Sequence, residues 1–167
     1  MGAQAWTRVT IGGSLTEEEY DQLLGFVENE FYETIDDDRV ARIEDAKIGK
    51  FSRLETEGLV SWGEPDEVLE FCREKNLAYI HSYDAASGGD FEPGINAWQP
   101  GWDKQRFSDA NSSGDPVVSL AELLDVQQEG KELENLIKSK WIFSVTNIPP
   151  LTITFDVEEK ADAEASQ

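Results

Sequence analysis

Tyr20, Leu23, Leu24, Val27 and Phe31 recur at intervals of three and four, which predicts a helix over residues 17 to 32 with one face on a core. Thr16 followed by Glu19 forms a capping box at its start, and Leu15 with Tyr20 fits a hydrophobic staple around it. Ahead of this helix, "WTRVTI" at residues 6 to 11 alternates and reads as a strand ended by Gly12-Gly13. Residues 39 to 62 alternate weakly and lack helix caps, so two strands joined near "GKFS" are expected. A second helix begins around Glu64-Pro65-Asp66-Glu67, turns Val68, Leu69 and Cys72 inward, and ends near Arg73, Lys75 and Asn76. "LAYIHSY" and "INAWQPG" read as strands separated by the loop "DAASGGDFEPG".

Farther on, "FSDANSSGDP" is a polar turn-forming loop, and Ser119 with Glu122 caps a short helix. Residues 131 to 140 form another helix with bases near its end. "WIFSVTN" and "LTITF" read as extended on either side of Ile148-Pro149-Pro150. The element order predicts an α+β fold: a mixed, mainly antiparallel sheet with helices packed on one face. It is expected to occupy residues 1 to 155 as one domain, followed by a disordered acidic tail over 156 to 167.

Composition narrows the function. Five Trp, eight Phe and four Tyr in 167 residues are enough to furnish a core. No apolar run approaches the roughly 18 residues of a membrane span, and the N-terminal stretch lacks the pattern of a secretory signal, so a cytoplasmic protein with no membrane partner is expected. A single Cys and a single His exclude an internal disulfide and a zinc site of the usual ligands. The net charge of −21 far exceeds the magnitude of about 2 to 8 that solubility needs. Nucleic acids and anionic membranes repel such a chain, so direct nucleic-acid binding is not expected. Adaptation to high salt fits less well, on the expectation that it favours Asp over Glu and Arg over Lys: Glu outnumbers Asp by 21 to 14 and Lys outnumbers Arg by 8 to 6.

The charge is uneven: residues 1 to 38 hold ten acids and one base. The helix dipole accounts for Glu17, Glu18 and Glu19 in the first turn. Glu28, Glu30, Glu33, Asp36, Asp37 and Asp38 lie toward or beyond the end that the dipole makes unfavourable. With Glu17 and Asp21 they are candidates for a surface that stands in for phosphates before a basic groove; the plainer reading is a solvated helix face. Trp98 and Trp102, either side of "QPG", are candidates for an apolar anchor or for the edge of the core.

Catalytic candidates are few. His81, Asp84 and Cys72 could form a nucleophile and base pair, but Cys72 shares an apolar helix face and a lone His on a strand is more often a packing residue. Asp84, Asp90 and Glu92 match no EF-hand spacing and suit turn chemistry, so no metal and no cofactor are expected.

The segments "EVLEFCREKNLAYIHSYDA", "NAWQPG", "PVVSLAELL" and "PPLTI" resemble small uncharacterised acidic proteins carried by phages and other mobile elements, a family with no assigned activity to transfer. Size and charge are similar in physical type to DNA-mimic inhibitors of restriction, CRISPR or repair machinery. The expectation is an acidic protein-binding module, most concretely a DNA mimic that occupies the basic surface of a nucleic-acid-binding protein. A structural or assembly adaptor with a Trp anchor is the alternative, and a small hydrolase-like enzyme around His81 the third.

Overall fold

A computed structural model describes residues 3–31, 53–130 and 132–154. Glu33, Asp36, Asp37 and Asp38, the first of the two strands expected over 39 to 62, and the tail over 156 to 167 lie outside the described residues. The strands are β1 (Gln4–Thr16), β2 (Leu54–Ser61), β3 (Ala78–Tyr83), β4 (Gly94–Trp98), β5 (Arg106–Asp109) and β6 (Leu151–Thr154). They form one sheet in the order β2-β1-β3-β4-β5, with β6 beside the end of β1. Among the described residues every pairing is antiparallel except β1 with β6, which runs parallel from Gly13 opposite Leu151 to Thr16 opposite Thr154. The protein therefore has the α+β fold that its pattern predicts, with a mixed, mainly antiparallel sheet.

The helices are α1 (Glu17–Glu30), α2 (Asp66–Glu74), α3 (Leu120–Glu129) and α4 (Leu133–Trp141). Alternation along the strands sorts the two sheet faces. Val9, Ile11, Leu54, Tyr79 and Trp98 pack with Tyr20, Leu23, Leu24 and Val27 of α1 and with Val68, Leu69 and Cys72 of α2. On the reverse face Ala78, Ile80, Ile95 and Ala97 meet Phe143 and Ile148 from the chain that follows α4.

The local signals hold where neighbours in sequence make the contact. Thr16 Oγ1 accepts the Glu19 N–H at 3.2 Å while Glu19 accepts the Thr16 N–H at 3.0 Å, and Ser119 and Glu122 do the same at α3. Three expectations change. β1 passes through Gly12-Gly13 instead of ending there, because a Cβ on Gly12 would occupy the place of the Pro149 carbonyl, and the Gly13 N–H donates to Pro150 at 3.2 Å. These glycines serve a close backbone approach, not a turn. The residues "FSD" belong to β5 and not to a loop. "WIFSVTN" is not extended: it finishes α4 and enters a 3-10 turn at Val145–Asn147, its amides satisfied by Lys140, Trp141 and Ser144 carbonyls.

The N-cap of α2 is Pro65, which offers no side-chain acceptor. Glu30, at the end of α1, supplies one: its carboxylate accepts the Glu67 N–H at 2.9 Å and the Val68 N–H at 3.1 Å. Glu30→Ala should thus cost about 1 kcal/mol of stability in urea unfolding, and Glu30→Gln, which keeps one acceptor, distinctly less. Equal midpoints for the wild type and Glu30→Ala would mean the cap contributes nothing.

Candidate functional site

Helices α1 and α2 lie side by side on the same sheet face, joined by the rings of Phe26 and Phe71 with centroids 5.5 Å apart. Their inward residues are spent on the core, so their polar residues form one outer layer. Glu17, Glu18 and Asp21 of α1 and Asp66, Glu67, Glu70 and Glu74 of α2 are all exposed in it. Among the described residues, the cations of α2 and its end have other partners: Arg73 donates to the Tyr79 hydroxyl at 3.0 Å, and Lys75 pairs with Glu19 at 2.9 Å. Carboxylates on neighbouring turns repel, by a few tenths of a kcal/mol per pair, so the layer is an electrostatic load on the fold.

Not every acid of α1 belongs to this layer. Glu19 is held below the usual carboxylate range, first by the Thr16 amide and then by Lys75. Glu30 is half-buried under the start of α2, and burial raises its pKa despite two amide donors, with Glu67 and Asp66 adding to the rise. The dipole argument for Glu30 therefore has a structural answer: it sits at the wrong end of its own helix and the right end of the next. Glu28 is half-buried. Sequence reasoning missed the contribution of α2, because Asp66 and Glu67 read locally only as the start of a helix.

The Trp expectation changes more sharply. Trp98 is only 7% exposed and stacks on Tyr79 with centroids 6.2 Å apart, so it is core and not an anchor. Trp102 is partly buried against both apolar clusters, with the Arg106 guanidinium 5.5 Å from its ring. Among the described residues, the aromatic side chains that do face outward are Trp141 (61%), Phe107 (58%), Trp62 (57%) and Trp6 (42%). Helices α3 and α4 bury no residue, and Leu120, Leu124, Leu133 and Ile137 are exposed on them. Their helical spacing was visible in the sequence as an apolar face, but spacing alone does not say whether anything covers it.

His81, Asp84 and Cys72 do not assemble a catalytic pair. His81 Nε2 lies 2.7 Å from the Gly63 carbonyl, which only accepts, so Nε2 carries the proton and Nδ1 accepts from Asn96 Nδ2 at 3.3 Å. Both ring nitrogens are spent, the ring is fully buried, and burial pulls its pKa down to about 4. Cys72 is likewise buried in the main core, where burial drives its thiol pKa strongly upward, away from a reactive thiolate. Asp84 is half-exposed in a hollow of about 240 Å³ with Trp6 and Arg8. Among the described residues, no group of three or more His, Cys, Asp or Glu side chains is arranged to hold a metal ion.

No protein-family model, curated protein or solved structure matches the chain. No helix is long and apolar enough to cross a membrane among the described residues.

The buried His81 has a measurable consequence. Its folded pKa lies below the unfolded value of 6.5, so between pH 6.5 and about 4 the unfolded chain binds the extra proton, and stability falls as pH falls through that window. Between pH 7 and 5 the loss from this one group should be about 2 kcal/mol. His81→Gln should flatten that part of the urea-unfolding profile; identical pH slopes in both proteins would refute the assignment.

Proposed function

We propose that the chain is an acidic protein-binding module that docks the α1–α2 carboxylate layer against the basic surface of a nucleic-acid-binding protein, in the place of phosphates. The observation that carries this reading is the layer itself: seven exposed carboxylates on two adjacent helices, with the neighbouring Arg73 and Lys75 turned to other partners. The helix dipoles favour the first-turn acids Glu17, Glu18, Asp66 and Glu67, but their crowding with Asp21, Glu70 and Glu74 is repulsive. A groove lined by Lys and Arg, by contrast, is complementary to the whole layer and releases counterions on contact. The resemblance in size and charge to DNA-mimic inhibitors agrees with the same reading. An adaptor role for this layer makes the same electrostatic contact without displacing nucleic acid, and competition separates the two.

The test is capture of the partner from the native cells, followed by titration of that partner's DNA binding with the chain. The chain should compete with DNA, and its own affinity should fall at least about tenfold between about 50 and about 200 mM salt. Glu17→Gln, Glu18→Gln, Glu70→Gln and Glu74→Gln combined should weaken binding by a similar factor with the fold intact. A partner that binds chain and DNA together rules out mimicry, and salt-independent affinity rules out the carboxylate contact altogether.

A further inference from the structure

The reverse face of the sheet, opposite the α1–α2 layer, carries a groove. Ile80 of β3 and Ile95 of β4 form its floor, and Ile137 and Trp141 of α4 form a wall, around a hollow of about 480 Å³. This hollow runs into the smaller one beside Trp6, the two sharing Arg8, Ser82, Ser113 and Gly114. The larger hollow, with its mainly apolar lining, has the size of a site that buries bulky apolar groups, and the smaller one is lined mainly by polar atoms. Ile137 and Trp141 remain 55% and 61% exposed, so the wall stands open along its length.

Charge identifies the occupant. Both cations of the groove are already matched: Arg8 by Glu57 at 2.8 Å, and Lys140 by Glu122 at 2.8 Å with the Ser108 hydroxyl at 2.9 Å. Asp84 and Asp115 line the same groove and pair with no cation among the described residues; Asp115 takes only a 3.4 Å bond from the Asn111 amide. The groove is therefore apolar in its depth and negative at its edge. An anionic amphiphile finds both cations engaged, and a second copy of a chain with net charge −21 is repelled.

We propose that this groove is a second docking site, which takes an amphipathic basic segment of a partner protein, its bulky apolar residues against Ile80, Ile95 and Trp141 and its Lys or Arg side chains toward Asp84 and Asp115. The site lies on the other side of the sheet from the carboxylate layer and does not depend on it.

Three synthetic helical peptides of equal length serve as probes, one of Leu and Lys, one of Ser and Lys with the same charge, and one of Leu and Glu. The Leu/Lys peptide should bind at least about tenfold more tightly than the Ser/Lys peptide, and the Leu/Glu peptide should not bind. Ile137→Ser with Trp141→Ala, both at exposed positions, should weaken the Leu/Lys complex about tenfold while thermal unfolding stays unchanged. Asp84→Asn with Asp115→Asn should weaken it less and reduce its salt dependence. The four Glu→Gln changes on α1 and α2 should leave this complex within about twofold, so failure of the carboxylate-layer reading leaves this one standing, and the reverse. Equal binding of the Leu/Lys and Ser/Lys peptides, or full affinity in the Ile137→Ser, Trp141→Ala variant, would overturn the proposal.

Discussion

The return of the chain to β1 depends on a missing side chain. Gly12 leaves open the space that the Pro149 carbonyl fills, and only this approach lets Pro150 accept the Gly13 N–H and β6 run alongside the end of β1. The consequences reach both sheet faces. Leu151 enters the main core next to the α1 residues, while Ile148 and Phe143 are pressed onto Ala78, Ile80 and Ile95 on the reverse face. The Arg53 Nε–H fastens the same segment by donating to the Ile148 carbonyl at 2.8 Å. With the chain held there, α4 stands along the sheet, and Lys140 reaches the Ser108 hydroxyl of β5. A side chain at position 12 would separate the two strands and remove the wall of the groove with them.

That dependence also explains which parts of the fold the sequence disclosed. The start of α1, its core face, the capping box of α3 and strands β3 and β4 follow from residues within a few positions of each other, where capping and periodicity are decided. Gly12-Gly13 reads locally as a break, and the partner that makes it a crossing point is Pro149, near the other end of the chain. For the same reason Trp98 can be read from the sequence as anchor or as core, and Trp141 is not singled out. Each sits in an apolar stretch, and only the register of β4 against β3, which places Trp98 opposite Tyr79, sends one inward.

The carboxylates divide along the same line. Glu19, Glu30 and Glu122 bind backbone amides at helix starts, and Lys75 and Lys140 engage Glu19 and Glu122. Two of these three roles were legible, because the capping box is a local pattern. Glu30 caps a helix that begins far along the chain, so nothing beside it in the sequence showed the role. Of the acids left on the outside of α1 and α2, Glu17, Glu18, Asp66 and Glu67 stand in first turns that the helix dipole favours, while Glu70 and Glu74 stand beyond the first turn of α2.

On the reading proposed above, the placement of the carboxylate layer and the apolar groove on opposite sides of one sheet has a kinetic meaning. Long-range attraction acts before contact, so a strongly negative layer raises the rate at which a basic partner arrives, and salt screens it. Close packing of apolar side chains acts after contact and sets how long a complex lasts. A single surface that mixed the two would desolvate its carboxylates as the apolar groups closed, at a cost that offsets much of the attraction. Separation by the thickness of the sheet keeps the acids of α1 and α2 clear of the apolar floor of Ile80 and Ile95, with Asp84 and Asp115 at the edge of the groove. The sheet thus holds apart two surfaces of different character, a carboxylate layer over α1 and α2 and a groove floored by Ile80 and Ile95.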